Sequence, residues 1–315
     1  MNNKIILSIG VITYNQPKEL RRLMLSVLPQ IEPGVEIVIN DNSDNLESES
    51  IIRNEFNSPY VRYFKNKINV GSEGNILLAT ERSLGKYVWW LGDDELKPGA
   101  IAHVLSIIKN NPEISLIWIN FEVNGLLARP LIQDKFFKDR NQVVEEISNE
   151  LGFVSSIIFK KEKIINISKE DKDQFIGSDF INLYLVMHIL SQDGKFYYVG
   201  HPYVICYPRP AEKHPYGGFE VFGINFYRIV KNFEAKFDKK SIKKMLAKNF
   251  GYVWRGILVC WLKGYDTPKG KFKTMFRLYW NFPEFWIAGP LFLMPKFITK
   301  FIYFIYKKVL KRKYT

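Results

Sequence analysis

Residues Gly85 to Glu95 read G-K-Y-V-W-W-L-G-D-D-E, an apolar, strand-like run that stops on the consecutive acids Asp93, Asp94 and Glu95. Like charges so close together repel, so the cluster is stable when solvated or when a cation neutralises it, and hard carboxylate oxygens suit Mg2+ or Mn2+. A cation held there would grip a diphosphate. A solvated acidic turn that merely ends a strand is the plainer alternative, but three more polar clusters also follow apolar runs: Thr13-Tyr14-Asn15, Asp41-Asn42-Ser43-Asp44 and Asn69-Val70-Gly71-Ser72-Glu73-Gly74-Asn75. Singly these are ordinary turn formers. Their order along the chain carries more information than any one of them.

The elements that must carry these clusters alternate in type. Strands are expected at Ile5–Ile12, Val35–Asn40, Val61–Phe64, Tyr87–Leu91 and Ser115–Phe121, with helices at Pro17–Leu28, Asn75–Leu84 and Ala100–Lys109. Leu20, Leu23, Met24 and Val27 recur at i, i+3, i+4 and i+7, which gives the first helix one apolar face. Such alternation predicts β-α-β units on a mostly parallel sheet, where ligands bind beyond the carboxyl ends of the strands. After Gly125 the pattern weakens: Gly152–Phe159 and Phe196–Val199 read as strands, Phe180–Leu190 as a helix, and Tyr203–Gly223 as a long loop near a site.

In this arrangement the chain resembles the family 2 glycosyltransferases of GT-A fold, in particular a bacterial abequosyltransferase-like subgroup in which GDD follows an aromatic strand. The resemblance is close from about Ile5 to Ile108 and looser to about Tyr203. It implies a Rossmann-like α/β domain over 1–225, with a nucleotide-sugar half (1–110) and an acceptor half (111–225), and a helical basic extension over 226–315. It implies an inverting transfer from a UDP-, dTDP-, GDP- or CDP-sugar to a hydroxyl of a lipid-linked or polysaccharide acceptor, with Mn2+ or Mg2+. Position by position, Thr13, Tyr14 and Asn15 would line the nucleotide pocket, Asp41 would read base or ribose, and Asn69, Gly71 and Asn75 would match the third cluster. Gly92 stands where many relatives carry the first acid of the metal motif, leaving Asp94 as the direct metal ligand and Asp93 beside the sugar or ribose, or on the ion through water. The family's base lies at a later helix start; here that is Asp179, with Ser178 replacing a preceding acid. Simple helix capping by Ser178 and Asp179 is the competing reading.

Composition bounds the rest. The chain has 315 residues and is 47% hydrophobic, enough for a large core. Residues 231–315 hold 20 Lys and Arg against 4 acids, whereas 1–230 hold 25 against 28. An asymmetric cationic tail predicts an anionic partner. Ile298, Phe301, Ile302, Ile305 and Val309 recur on one helical face and Lys296, Lys300, Tyr303, Lys307 and Lys311 on the other; with Trp280, Phe282, Phe285 and Trp286 this pattern predicts a helix lying on an anionic membrane through 280–313. That places the protein in the cytoplasm, peripheral on the inner face of the membrane. A nucleic-acid-binding protein with an inactive GT-A-like domain is the alternative, disfavoured by the acids in the expected crevice. Only Cys206 and Cys260 are present, which predicts no disulfide framework. His214, with Arg209 and Lys213, is a further candidate for phosphate or acceptor contact.

Overall fold

The computed structural model describes residues 4–207, 219–262, 272–287, 297–298, 301 and 304–305. They fall into two compact units, Met1–His214 and Pro215–Thr315. In the first unit β1 (Leu7–Thr13), β2 (Val35–Asp41), β3 (Val61–Lys65), β4 (Tyr87–Leu91), β5 (Glu95–Leu96), β6 (Ile114–Val123), β7 (Leu126–Leu127), β8 (Lys135–Phe136), β9 (Ile157–Lys160) and β10 (Lys195–Cys206) form one sheet. Its order is β3-β2-β1-β4-β9-β6-β10-β5, with β7 on β6 and β8 on β10.

The long ladders β1–β2, β2–β3, β1–β4 and β6–β10 are parallel, and β9 joins β4 to β6 antiparallel to both. Strands β2 and β4 are buried along their whole length, as befits a sheet covered on both faces. Glu36, Asn40 and Asp41 are buried polar residues within β2, and Glu36 lies at its amino end. Glu36 accepts from Ser8 Oγ at 2.6 Å, the Leu84 amide at 2.6 Å and Arg62 Nη1 at 2.9 Å, so its charge is satisfied.

The helices of this unit are α1 (Pro17–Val27), α2 (Glu47–Glu55), α3 (Gly71–Arg82), α4 (Ala100–Asn110), α5 (Arg140–Glu146), α6 (Glu162–Ile165), α7 (Lys169–Asp173) and α8 (Ile181–Ser191). In α1 the buried residues are Leu20, Leu23, Met24 and Val27, the face its periodicity predicts. Helix α8 is buried on nearly every side. The chain runs from β1 outward to β2 and β3, then returns to place β4 on the other side of β1. This reversal opens a crevice beyond the carboxyl ends of β1 and β4.

Three expectations are corrected. Gly152–Phe159 is not a continuous strand: 3-10 turns occupy Ser148–Gly152 and Val154–Ser156, and only Ile157–Lys160 pairs. The Phe180 ring packs so closely on Gly152 that a Cβ there would meet it at 2.3 Å, which fixes a turn at this point. Second, β10 runs on to Cys206 in place of a loop from Tyr203, because Val204 and Ile205 pair with Leu96 and Glu95. Residues 208–218, with Arg209, Lys213 and His214, lie outside the described residues. Third, α2 was not expected. Its acidic first turn, Glu47 and Glu49, and Arg53 in its last turn suit the helix dipole.

The second unit is helical, with α9 (Phe226–Asn232), α10 (Lys239–Leu262) and α11 (Phe272–Tyr279). Tyr279, Phe250 and Phe285 make its aromatic core, and Tyr279 Oη donates to the Gly223 carbonyl at 3.0 Å. No helix among the described residues is long and apolar enough to cross a membrane.

Candidate active site

Strand register sets the height of the site. Thr13 pairs with Asp41 and Val11 with Leu91, so the T-Y-N and D-N-S-D loops leave the sheet side by side, and the acidic run starts two residues past Leu91. The first two loops are stitched together. Asn15, at φ +51, donates its amide to Ser43 Oγ at 2.8 Å and its Nδ2 to Asp44 Oδ2 at 3.0 Å, and the Asp44 amide returns a bond to Asn15 Oδ1 at 3.1 Å. Tyr14 Oη donates to the same Asp44 oxygen at 3.0 Å. These donors hold the Asp44 carboxyl below the usual carboxylate range, and the carboxylate raises the Tyr14 phenol in return. Tyr14, Asn15 and Asp44 are exposed and face solvent together.

Asp41 is placed differently from the expectation of a direct reader. It is wholly buried. Its Oδ1 accepts from the Ser43 amide at 2.7 Å, while Oδ2 accepts from Tyr63 Oη and lies 3.6 Å from Lys65 Nζ. Burial and Asp41 together push the Tyr63 phenol far above its ordinary value. Asp41 thus braces, through the Ser43 amide, the loop that bears Asp44.

Asn75 is likewise buried. Its Nδ2 donates to the Asn40 carbonyl at 3.0 Å and the Thr13 carbonyl at 3.3 Å, and its Oδ1 accepts from Asn66 Nδ2 at 3.0 Å, so it ties α3 to the ends of β1 and β2. Thr13 is buried as well, whereas Asn69 and Gly71 are exposed. Asn69 Oδ1 accepts from the Gly71 amide at 2.9 Å in a turn that needs Gly71 at φ +74.

In the acidic run each residue has its own setting. Glu95 pairs with Arg22 at 2.9 Å, and the Arg22 guanidinium stacks 3.7 Å over the Tyr207 ring and donates to the Asp93 carbonyl at 2.7 Å. Asp93 is half-buried. Asp94 is 5% exposed and, among the described residues, has no cationic partner. Its Oδ2 accepts from Ser155 Oγ at 2.6 Å and its Oδ1 from the Tyr207 amide at 3.3 Å. Burial, with Asp93 adding to it, pushes the Asp94 carboxyl up to about 6 despite these donors. The Cys206 thiol beside it rises to about 12, through burial and then Asp94.

This donor set bears on whether a metal fits. No group of three or more His, Cys, Asp and Glu could hold an ion among the described residues. A site closed by protein alone is therefore not what these residues build. A buried carboxylate without a cation, next to a second carboxylate, does fit Mg2+ or Mn2+, which take one or two carboxylates and complete their shell with phosphate oxygens and water. Gly92 is not imposed by crowding, since a Cβ there would meet only Ser155 Oγ at 3.8 Å.

The turn 148–156 links this acid to Asp179. Ser155 holds Asp94, while three residues earlier the Gly152 carbonyl accepts from Asn182 Nδ2 at 2.7 Å and Gly152 supports Phe180. Asp179 is exposed at φ +55, and among the described residues no hydrogen bond or ion pair engages its side chain. At the start of α8 the Glu73 carboxylate accepts from the Phe180 and Ile181 amides, and Ser178 Oγ shares the Phe180 amide at 3.1 Å, so the capping that Ser178 gives is secondary to that of Glu73. Ser155 and Glu73 carry no local signal that would have marked them; both act across long sequence separations.

The sheet order, the switch point and the acid-tipped loops define an α/β fold of the GT-A type. Crystal structures of S. aureus TarS 1-349 share that fold: the complex with UDP-GlcNAc aligns with a TM-score of 0.60 at 14% identity, covering 78% of this chain and 71% of that one. The chain belongs to glycosyl transferase family 2, whose description residues 8–167 match. It is 25% identical over 227 residues to the abequosyltransferase RfbV of Salmonella typhimurium, covering 64% of this chain and 66% of that protein. It is also 25% identical over 170 residues to an uncharacterized glycosyltransferase of Haemophilus influenzae, covering 51% and 55%. The matched stretches thus span just under two thirds and about half of those relatives.

Proposed function

We propose that this protein transfers a sugar from a nucleotide-sugar donor to a hydroxyl of a lipid-linked or cell-surface glycan, with inversion at the sugar carbon, at the inner surface of the membrane. The observation that carries the proposal is the convergence at one switch point of the Tyr14–Asn15–Asp44 loops and the cation-deficient Asp94. Tyr14 and Asn15 present a ring face and amide for a base and ribose, with Asp41 bracing them from behind. Asn69 and Gly71 shape the turn that leads into α3, whose first-turn amides would take phosphate oxygens. Asp94, with Asp93 beside it, would hold Mn2+ or Mg2+. Such an ion, when bound, offsets the charge that develops on the leaving diphosphate. Asp179, exposed and without a protein partner among the described residues, takes the proton of the acceptor hydroxyl as its oxygen attacks the sugar carbon from the face opposite the diphosphate. Burial of the crevice floor strengthens these electrostatic contacts.

The donor is tested by thermal unfolding with UDP-, dTDP-, GDP- and CDP-sugars, with and without Mn2+. Binding to the folded state raises the midpoint by mass action, so one donor class should raise it by several degrees in Mn2+. Silence across the panel would overturn the proposal.

Membrane association rests on the second unit. Trp280 and Trp286 are 56% and 57% exposed, and Ile287, Phe297, Phe301 and Phe304 are exposed as well. The lysines of the opposite face lie outside the described residues. Aromatic exposure of this kind beside excess positive charge suits a lipid headgroup layer. Flotation with phosphatidylglycerol vesicles should carry the protein, phosphatidylcholine vesicles should carry less, and Trp280→Ala with Trp286→Ala should lower binding at least fivefold. Preference for RNA or DNA over anionic vesicles would favour the nucleic-acid reading instead.

A further inference from the structure

We propose that Glu73 is a positioning residue for the base at Asp179, an inference that rests on the assignment of Asp179 above. Glu73 lies in the first turn of α3 and is buried. Its Oε1 accepts from Ser178 Oγ at 2.9 Å, the Phe180 amide at 3.0 Å and the Ile181 amide at 3.1 Å, while Oε2 accepts from the Gly177 amide. These four donors belong to the two residues before Asp179 and the two after it. Asp179 itself is left out.

Only a carboxylate can take so many donors from one side chain of this length, because an amide would turn an N–H toward another N–H. Asp179 sits at φ +55, two residues after Gly177 at φ +87. A left-handed aspartate is disfavoured and persists where its surroundings determine it from both sides. Glu73 supplies that determination, and the Asp179 carboxyl is thereby left exposed. Partial burial, and then the Glu73 charge, raise the Asp179 carboxyl above its ordinary value, the direction a base working near neutrality requires.

The position of Glu73 also links the two halves of the reaction. Two residues further along α3, Asn75 is bonded to the Thr13 and Asn40 carbonyls under the nucleotide loops. One helical turn therefore fastens the donor crevice on one side and the loop of the base on the other. A small shift of that turn misaligns the base against the donor, and misplacement of a reacting group by an ångström costs orders of magnitude in rate.

The test compares wild-type protein with Glu73→Gln, Ser178→Ala and Asp179→Asn, as full chains, by transfer or donor hydrolysis across pH and by donor-induced thermal shift. Glu73→Gln should lower kcat by 10- to 100-fold, leave donor KM and the thermal shift within about twofold, and move the acidic limb of kcat/KM to lower pH because a neighbouring negative charge is gone. Ser178→Ala removes one donor and keeps the charge, so it should lower kcat several-fold with the limb in place, and it carries the test should Glu73→Gln not fold. Wild-type kcat and pH limb in these variants, beside an inactive Asp179→Asn, would overturn the positioning role alone. Full activity in Asp179→Asn would overturn the base assignment and the positioning role with it.

Discussion

Asp179→Asn lowers kcat by about 10²- to 10⁴-fold, the range that removal of a general base produces. The substitution is nearly isosteric, and asparagine tolerates the left-handed backbone at this position as well as aspartate does. The Glu73 bonds to its neighbours need nothing from the side chain at 179, so the loop keeps its form. What is lost is the proton acceptor. Donor binding, which the proposal assigns to groups at the ends of β1, β2 and β4, should be unchanged by thermal shift, so the loss falls on kcat. The acid side of the wild-type profile should show a single limb above the ordinary carboxylate range, as the direction of the Asp179 shift requires, and the variant should lack it. A variant that retains more than a tenth of wild-type kcat would refute the assignment.

The first half of the fold was legible because its signals are local and repeated. A strand such as Tyr87–Leu91 is bounded by Gly85 and Gly92, and its five apolar residues leave little choice of element. The helix over Pro17–Val27 has both a proline start and an apolar stripe. Beyond Gly125 the same signals fail, since β9 is a four-residue strand that owes its place to pairing with β4 and β6 on either side. No periodicity in I-I-F-K announces an antiparallel strand inserted between two others.

The site was legible at the level of clusters and less so at the level of single side chains. Polar residues after strands were expected to face the crevice, yet Asp41 and Asn75 point their polarity inward, where they accept from or donate to backbone groups of the loops, the Thr13 carbonyl among them. The requirement that buried polar groups be bonded explains this placement, but beside the local Ser43 amide the partners include Tyr63, 22 residues from Asp41, and Thr13, 62 residues from Asn75. Exposure passed instead to Asp44, Tyr14 and Asn15. Glu73 illustrates the same limit: in sequence it is one more acid in a turn, and its function appears only once α8 is packed against α3.

The substitution Asp94→Asn should separate stability from activity in opposite directions. The Asp94 carboxyl, raised to about 6 chiefly by burial, binds its proton more tightly in the folded chain than in the unfolded one. Stability is therefore greatest below the unfolded value near 4, falls as pH rises through about 6, and stays reduced above it, by roughly 2 to 3 kcal/mol for a shift of this size. Asparagine does not titrate. Its oxygen can accept from the Tyr207 amide while its amide donates to Ser155 Oγ, so both contacts of Asp94 have a neutral counterpart. In chelator, the stability of Asp94→Asn relative to wild type should thus increase between pH 4 and 6 and level off by pH 7. Donor-dependent stabilisation by Mn2+ and transfer activity should fall at least 100-fold in the same variant, because a neutral amide cannot replace the charge a divalent ion needs. Urea unfolding at several pH values, with and without Mn2+ and donor, reads both effects. If the difference between variant and wild type does not vary with pH, the buried carboxylate is not the strained group described here, and if Mn2+ still promotes donor binding to the variant, the ion is held elsewhere.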